Sequence, residues 1–233
     1  MPKLEEIIEN LNIIKERVQQ ACIKAGNFEG KIKIVAVTKT FPVEVVSQVL
    51  SYGINDIGEN RIQEALPKIE KIKKEGYEKV SWHLLGHLQT NKVKKAVDSF
   101  NLIHSVDSLK LCEKISNYAI ANQIIQEILL EVNIAGEESK FGFNAKYLKD
   151  IFYELKNLKG IRILGLMIIA PICNNSEEVR FVFRELRELR DYLQITYSVV
   201  LPELSMGMSD DFEVAIEEGA TIIRLGRAIF GSR

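Results

Sequence analysis

Eight short runs rich in β-branched and apolar residues alternate with seven stretches of helical spacing, and this alternation constrains the fold most strongly. The short runs cover residues 33–39, 56–60, 81–86, 101–107, 127–133, 161–169, 203–206 and 221–226. The helical stretches cover residues 42–52, 61–75, 89–97, 108–122, 144–157, 176–193 and 209–218. Strands that alternate with helices are parallel and joined by crossover connections. Eight strands of this kind, with helices between them, predict an α/β fold, a closed (β/α)₈ TIM barrel. An open α/β sheet is the alternative.

The first 26 residues have a different pattern. Apolar residues recur at steps of three and four from Leu4 to Ala25, and Gly26 follows the last of them. The pattern predicts an amphipathic helix over residues 1–26, packed on the barrel. No stretch rich in Pro, Gly or Ser marks a linker, so we expect a single domain over residues 1–233. No G-x-G-x-x-G or P-loop motif follows the first strand, which disfavours an open nucleotide-binding sheet.

Composition excludes several classes of partner. The chain has 31 Lys and Arg against 32 Asp and Glu, so its net charge of -1 gives no reason to expect nucleic acid or an anionic membrane. The best apolar run, residues 163–170, is far shorter than the roughly 20 residues that span a bilayer. No secretory signal begins the sequence, and the three cysteines form no C-x-x-C pair (Cys22, Cys112 and Cys173). We expect a cytoplasmic monomer with reduced cysteines.

In a TIM barrel, chemistry is expected at the carboxyl ends of the strands. Lys39 follows the apolar residues 34–37 at the end of the first strand. If the strand delivers this amine into a dry barrel mouth, burial favours the uncharged form that attacks a carbonyl to make a Schiff base. The alternative is that Lys39 only marks where the strand re-enters water.

The ends of the seventh and eighth strands suggest an anion site. Ser205 offers a hydroxyl group, and Gly226 allows backbone N–H groups to approach a ligand closely. Residues 227–230 could begin the short helix that, with these two loops, often binds phosphate in barrels. We therefore expect a phosphate beside Ser205 and Gly226, with simple turn glycines as the alternative.

Arg224 lies within the apolar run 222–225, where a permanent charge needs a partner. One candidate partner is a ligand acceptor such as a pyridine nitrogen, and the alternative is a salt bridge to Glu59 or Glu131. A reactive lysine, a phosphate site and an arginine on the ring nitrogen are together what a pyridoxal 5′-phosphate (PLP) site requires. A barrel aldolase that uses Lys39 without any cofactor is a further alternative.

From about residue 31 to the carboxyl terminus, the chain resembles the pyridoxal phosphate homeostasis proteins, also called the YggS/PROSC family. The matching stretches share their order along the chain with that family. They are AVTKT around Lys39, GENRIQEA from Gly58, WHLLGHLQTNK from Trp82, IHSVDS from Ile103, EVNIAGEESKFGF from Glu131, GLM from Gly165, LSMGMSDDFEVAIEEGAT from Leu204 and RLGRAIFG from Arg224.

The resemblance implies a specific set of cofactor contacts. Lys39 would hold PLP as an aldimine, Asn60 would line the pocket, and Arg224 would face the pyridine nitrogen. Ser205 and the backbone of Gly226 and Arg227 would hold the phosphate.

The family also resembles the barrel domain of alanine racemase, in which a second domain supplies a tyrosine acid/base from the partner subunit. No residues follow Arg233 to build that domain, so we expect two-base racemisation to lack one base. The implied role is a PLP carrier in intracellular homeostasis, not an enzyme, with PLP-dependent apoenzymes as candidate recipients. A weak PLP-dependent amino-acid racemase is the alternative.

A metal site is not expected. His83 and His87 are four residues apart, but they fall at a strand end and no carboxylate completes a familiar motif. Packing or hydrogen bonding is the predicted role of both imidazoles.

Overall fold

The computed structural model of the chain describes residues 3–26, 32–134, 136, 141–173 and 175–231. Its strands are β1 (Lys33–Val37), β2 (Asp56–Glu59), β3 (Ser81–Leu84), β4 (Leu102–Val106), β5 (Gln126–Asn133), β6 (Phe143–Asn144), β7 (Ile161–Met167), β8 (Glu203–Ser205) and β9 (Ile222–Leu225). All of them except β6 form one parallel barrel, which closes because β4 pairs with β5 and β1 pairs with β9. The predicted TIM barrel is confirmed, and the open sheet is wrong.

Helices cover the outside of the barrel. They are α1 (Leu4–Lys24), α2 (Val43–Ser51), α3 (Ile62–Lys74), α4 (Val93–Val97), α5 (Leu109–Ala121), α6 (Ala145–Lys156), α7 (Arg180–Tyr197), α8 (Phe212–Glu217) and α9 (Arg227–Phe230). Short 3₁₀ turns, Thr90–Lys92 and Ser176–Val179, precede α4 and α7. Each predicted stretch contains a helix whose ends differ from the prediction by a few residues.

Helix α1 precedes the barrel and packs on its last helices. Its apolar stripe is buried at Ile7, Leu11 and Ile14. The Asn10 amide donates to the Ile229 carbonyl oxygen at 3.0 Å, which joins α1 to α9. Gly26, with φ of +65°, follows the helix in the left-handed conformation that glycine adopts readily. No helix in the described part of the chain is both long and apolar enough to cross a membrane.

Two layers of packed apolar side chains stabilise the barrel. Apolar side chains fill part of its interior, including Val35, Leu129 and Ile222. A larger layer lies between the strands and the helices, where Phe152 and Phe183 are almost fully buried. The barrel interior also contains polar side chains, and burial obliges each of them to find a hydrogen-bond partner.

The strands depart from the sequence expectations at their ends. Strand β1 ends at Val37, two residues before Lys39, and the chain then enters a turn in which the Phe41 N–H donates to the Thr38 carbonyl oxygen at 3.1 Å and Thr40 has φ of 64°. Strand β6 was not predicted, since two residues are too few to show an alternating pattern. It pairs with β5 through Val132 and Phe143.

Candidate functional site

The site candidates gather at the carboxyl ends of neighbouring strands. Ala36 of β1 is in register with Leu225 of β9, so Lys39 and the Gly226–Arg227 step leave the barrel at the same edge. On its other side β1 pairs with β2 and aligns Val37 with Gly58, which places Asn60 level with Lys39. We call this edge the cofactor mouth, defined by Lys39, Asn60, Gly226 and Arg227.

Lys39 is exposed rather than buried, so the expectation of a desolvated amine is wrong. The reason is local: the strand ends early and the following turn carries the side chain to the rim. Thr40, within that turn, donates its backbone N–H to the Glu64 carboxylate at 3.2 Å. The exposed Lys39 side chain therefore lies at the rim of the cofactor mouth.

A buried ion pair fixes the backbone just before Lys39. Lys68 of α3 lies 2.6 Å from a Glu59 oxygen and donates to the Thr38 carbonyl oxygen at 2.8 Å. The Thr38 hydroxyl donates to the same Glu59 oxygen at 2.6 Å. Sequence reasoning missed this arrangement, although the position of Lys68 between Ala65 and Ile72 on the buried face of α3 was a usable signal.

Arg224 is buried and held by two hydrogen bonds. Its guanidinium donates to Ser205 Oγ at 2.6 Å and to the Ile168 carbonyl oxygen at 2.8 Å. Burial lowers the pKa of Arg224 to about 10, against the opposing charges of Asp211 and Glu131. A guanidinium has five N–H groups, so these two bonds do not exhaust its donors.

The salt-bridge alternative for Arg224 does not hold among the described residues. Glu59 pairs with Lys68 instead. Glu131 acts on Arg224 through its charge, without an ion pair between the two in the described part of the chain. A ligand acceptor remains open to the unused N–H groups.

Ser205 lies below the cofactor mouth, fully buried at the end of β8. Its hydroxyl oxygen accepts from Arg224 and lies 2.9 Å from His104 Nδ1. The predicted phosphate contact therefore competes with two protein partners for this hydroxyl.

The Gly226 backbone opens onto the mouth. A Cβ added there would meet Val37 at 3.7 Å, an ordinary contact. The next turn brings the Ala228 N–H to Ser209 Oγ at 3.1 Å. Sequence reasoning missed Ser209, a polar group beside the expected phosphate position, although it belongs to the same loop as Ser205. Arg227 is exposed and forms an ion pair with Asp210.

Glu131 is a second buried carboxylate near the mouth. Only 7% of the residue is exposed. Burial, reinforced by the charge of Asp107 and opposed by that of Arg224, raises the pKa of Glu131 to about 7. Its charge therefore changes near neutral pH.

His83 has a hydrogen-bond partner, as predicted, and His87 lies against a carboxylate. His83 Nε2 lies 2.9 Å from Asp56, and His87 Nδ1 lies 2.9 Å from Asp107. The described residues contain no group of three side chains placed to hold a metal ion.

Known proteins match almost the whole chain. A family model described as "Alanine racemase, N-terminal domain" matches residues 3–233. A pyridoxal phosphate homeostasis protein of Aquifex aeolicus is 48% identical over 225 residues, which are 97% of each chain. This chain belongs to the pyridoxal phosphate homeostasis protein family. PipY of Synechococcus elongatus, solved with PLP bound, is 33% identical, covers 97% of this chain and 100% of its own, and superposes with a TM-score of 0.85.

The barrel alone is shared more widely. Alanine racemase of Clostridium difficile is 16% identical and covers all of this chain but 58% of its own, with a TM-score of 0.75. At that identity, the likeness concerns the fold and not the activity.

The family stretch that begins at Glu131 is only partly described. Residues 135 and 137–140 lie outside the described part of the chain, as do residues 1–2 of the predicted amino-terminal helix. Within the described part, the structure brings Lys39, Asn60, Gly226 and Arg227 to one rim, and it places Arg224 and Ser205 beneath them.

Proposed function

We propose that the chain binds PLP at the cofactor mouth and takes part in PLP homeostasis, with Lys39 as the capturing amine. The observation that carries this assignment is the pairing of β1 with β9, which sets Lys39 beside the Gly226–Arg227 turn. An aldehyde and a phosphate on one small molecule need an amine and an anion site at a short separation. PipY, the relative solved with PLP bound, supports the choice of ligand.

The residues present fit PLP. PLP supplies an aldehyde that condenses with a primary amine. Lys39 offers that amine at the rim, while backbone N–H groups near Gly226 and Ser209 offer donors for a phosphate. Arg224, still charged at neutral pH with a pKa of about 10, would donate to the ring nitrogen and disfavour a second cation there.

We infer a carrier role in preference to catalysis. The name of the Aquifex aeolicus relative supports homeostasis as the role of the family. Racemisation is the second candidate, because the family model that matches residues 3–233 is described as the N-terminal domain of alanine racemase. It needs two positioned acid/base groups on opposite faces of the substrate carbon.

The assignment is tested by trapping. Purified full-length chain is mixed with PLP, its absorption spectrum is recorded, and the bound aldehyde is fixed with borohydride and located by peptide mass mapping. We expect a Schiff-base absorption band in the parent protein and the reduced label on Lys39, with both lost in Lys39→Ala. Lys33→Ala, at the other end of β1, is the matched control and is expected to keep the band and the label.

Two results would overturn the proposal. One is a label on a different lysine, which would move the site. The other is a parent protein that forms no band with PLP, which would favour an aldolase acting without the cofactor. Incubation of the PLP-loaded chain with L-alanine, followed by chiral chromatography, separates the two roles: racemisation that disappears in Lys39→Ala would establish the enzyme.

Gly226→Ala tests the phosphate position separately from the amine. The glycine has φ of −114°, which alanine adopts, and its added methyl group meets only Val37, so stability is expected to change by less than about 1 kcal/mol. The methyl group would obstruct the close approach of a phosphate. We therefore expect PLP affinity to fall by roughly 10- to 100-fold, the loss of one or two charge-assisted hydrogen bonds.

Pyridoxal, which lacks the phosphate, is the control ligand for this variant. Its affinity is expected to be the same for the parent and for Gly226→Ala, as measured by absorption titration. An equal loss of affinity for both ligands would place the methyl group against the ring and contradict a phosphate position at Gly226.

A further inference from the structure

A continuous row of polar side chains crosses the barrel interior to the cofactor mouth. It begins at Asp56, whose Oδ1 lies 2.9 Å from His83 Nε2. His83 Nδ1 lies 2.9 Å from His104 Nε2, and His104 Nδ1 lies 2.9 Å from Ser205 Oγ. The row ends at Arg224, which donates to Ser205 Oγ at 2.6 Å.

The row is sealed from solvent over most of its length. His83, His104 and Ser205 are at most 1% exposed, whereas the Asp56 side chain is 26% exposed. Asp56 lies at the start of β2, at the opposite end of the barrel from the mouth. The row therefore connects the two ends of the barrel through its core.

The two ends of the row fix the direction of its hydrogen bonds. An ionised Asp56 can only accept, so His83 Nε2 carries the hydrogen and Nδ1 accepts from His104 Nε2. A neutral His104 then accepts at Nδ1 from the Ser205 hydroxyl. Arg224 can only donate, and it donates to the Ser205 oxygen. In this state, the single hydrogen of Ser205 points to His104 and away from a ligand.

One added proton reverses the row. A protonated phosphate monoester or a hydronium ion delivers a proton to Ser205 Oγ and is left as the deprotonated phosphate or as water, while the original hydrogen of Ser205 passes to His104 Nδ1. The Nε2 hydrogen of His104 passes to His83 Nδ1. The balance is one proton gained: His83 becomes a cation against Asp56, and His104 stays neutral as the other tautomer. Ser205 now accepts from both His104 and Arg224 and turns its own hydrogen toward the mouth.

We propose that Asp56, His83 and His104 form a proton relay that sets the direction of the Ser205 hydroxyl beneath the cofactor mouth. The proposal rests on the proposed function, because the ligand that would receive this hydrogen is a phosphate-bearing cofactor. The two histidines act through Ser205 and are therefore positioning residues. They change which hydrogen-bond role the site offers to an anion.

The surrounding charges keep the added proton on His83. His104 faces the cations Arg224 of β9 and Lys33 of β1 as well as His83 itself, and burial together with these groups lowers the pKa of His104 well below its usual range. Lys33 is itself 3.5 Å from Glu203 of β8. His83 has Asp56 of β2 and the Ser81 hydroxyl, 3.1 Å away, on its other nitrogen. The carboxylate therefore favours the cation at His83, while His104 only changes its tautomer.

Nitrogen NMR of the imidazoles tests the relay directly. The chain has three histidines, so ¹⁵N-histidine labelling gives three assignable rings. In the full-length chain freed of PLP, we expect His104 to carry its hydrogen on Nε2 at high pH. On acidification, the His104 hydrogen should move to Nδ1 without His104 gaining charge. A His104 ring that keeps one tautomer throughout, or that becomes a cation, would overturn the relay.

Asp56→Asn tests the lower end of the row. Without the carboxylate, the reversed row loses its counter-charge, so the tautomer change of His104 should move to lower pH by at least about one unit, a tenfold change. Glu44→Gln, which removes an exposed carboxylate paired with Lys71, is the control and should leave the His104 change in place. A His104 change that stays at its original pH in Asp56→Asn would contradict the coupling.

Saturation with PLP tests the upper end and separates this inference from the proposed function. A bound phosphate that accepts from Ser205 favours the reversed row, so the tautomer change of His104 should move to higher pH by at least about half a unit, a threefold change. If PLP forms no complex, the proposed function fails. If PLP binds at Lys39 but the His104 change stays at its original pH, the function stands and the relay to the mouth is disproved.

Discussion

Replacing Lys68 with methionine is expected to lower the free energy of unfolding by about 3–5 kcal/mol. Lys68 lies 2.6 Å from Glu59, which is fully buried, and methionine would leave that carboxylate charged and without its cation. Burying an uncompensated charge costs far more than the pair contributes. Urea denaturation at pH 8, followed through the fluorescence of the buried Trp82, measures the loss.

Two variants make this prediction specific. Lys71→Met removes a lysine from the same helix whose partner Glu44 is exposed, and it is expected to leave stability essentially unchanged. The double variant Glu59→Leu/Lys68→Met removes the whole pair and is expected to recover most of the loss, since a buried pair is often replaceable by apolar side chains. A double variant as unstable as the single one would show that the hydrogen bond to Thr38, not the charge, is what matters.

The barrel could be predicted because its signal is local. Each strand and each helix is a run of several residues with its own period, and the number of alternations selects a closed barrel over an open sheet. The exposure of Lys39 has no comparable local signal in the sequence. Residues 33–39 form one uninterrupted β-rich run, but a turn over residues 38–41, closed by the Phe41 N–H to the Thr38 carbonyl oxygen at 3.1 Å, takes the last part of it out of the sheet. The resulting exposure depends on this one turn.

The site was predictable where neighbouring strands pair and not where side chains meet across the barrel interior. Lys39 and Gly226 come together through one strand pairing that any barrel of this order must have. The contact of His104 with Ser205 joins residues 101 positions apart across the interior. Which inward side chains meet there depends on the tilt and stagger of the barrel, and sequence spacing carries neither. The same limitation hid the hydrogen bonds of Arg224.

Glu131→Gln is expected to become progressively more stable than the parent protein as pH rises. Burial raises the pKa of Glu131 from an ordinary 4.5 to about 7 in the folded chain. The contribution of neutral, buried Glu131 to the free energy of unfolding is thus fully present below pH 4.5. It is lost as pH rises through about 7, because the folded state then buries a charged carboxylate. Glutamine has the same shape and never ionises. The stability difference should therefore grow by roughly 2–3 kcal/mol from pH 5 to pH 8.

Urea denaturation of both proteins at several pH values measures this difference, and Glu127→Gln is the matched control. Glu127 lies on the same strand, but its side chain is 39% exposed, so we expect no comparable growth with pH. A difference that stays flat for Glu131→Gln would mean that the charge of Arg224 balances the cost of burial and the repulsion from Asp107. A difference that grows would identify Glu131 as a carboxylate that gains its charge near neutral pH. An ionised Glu131 would offset part of the positive charge of Arg224. The affinity of the mouth for an anionic ligand would then fall as pH rises through about 7.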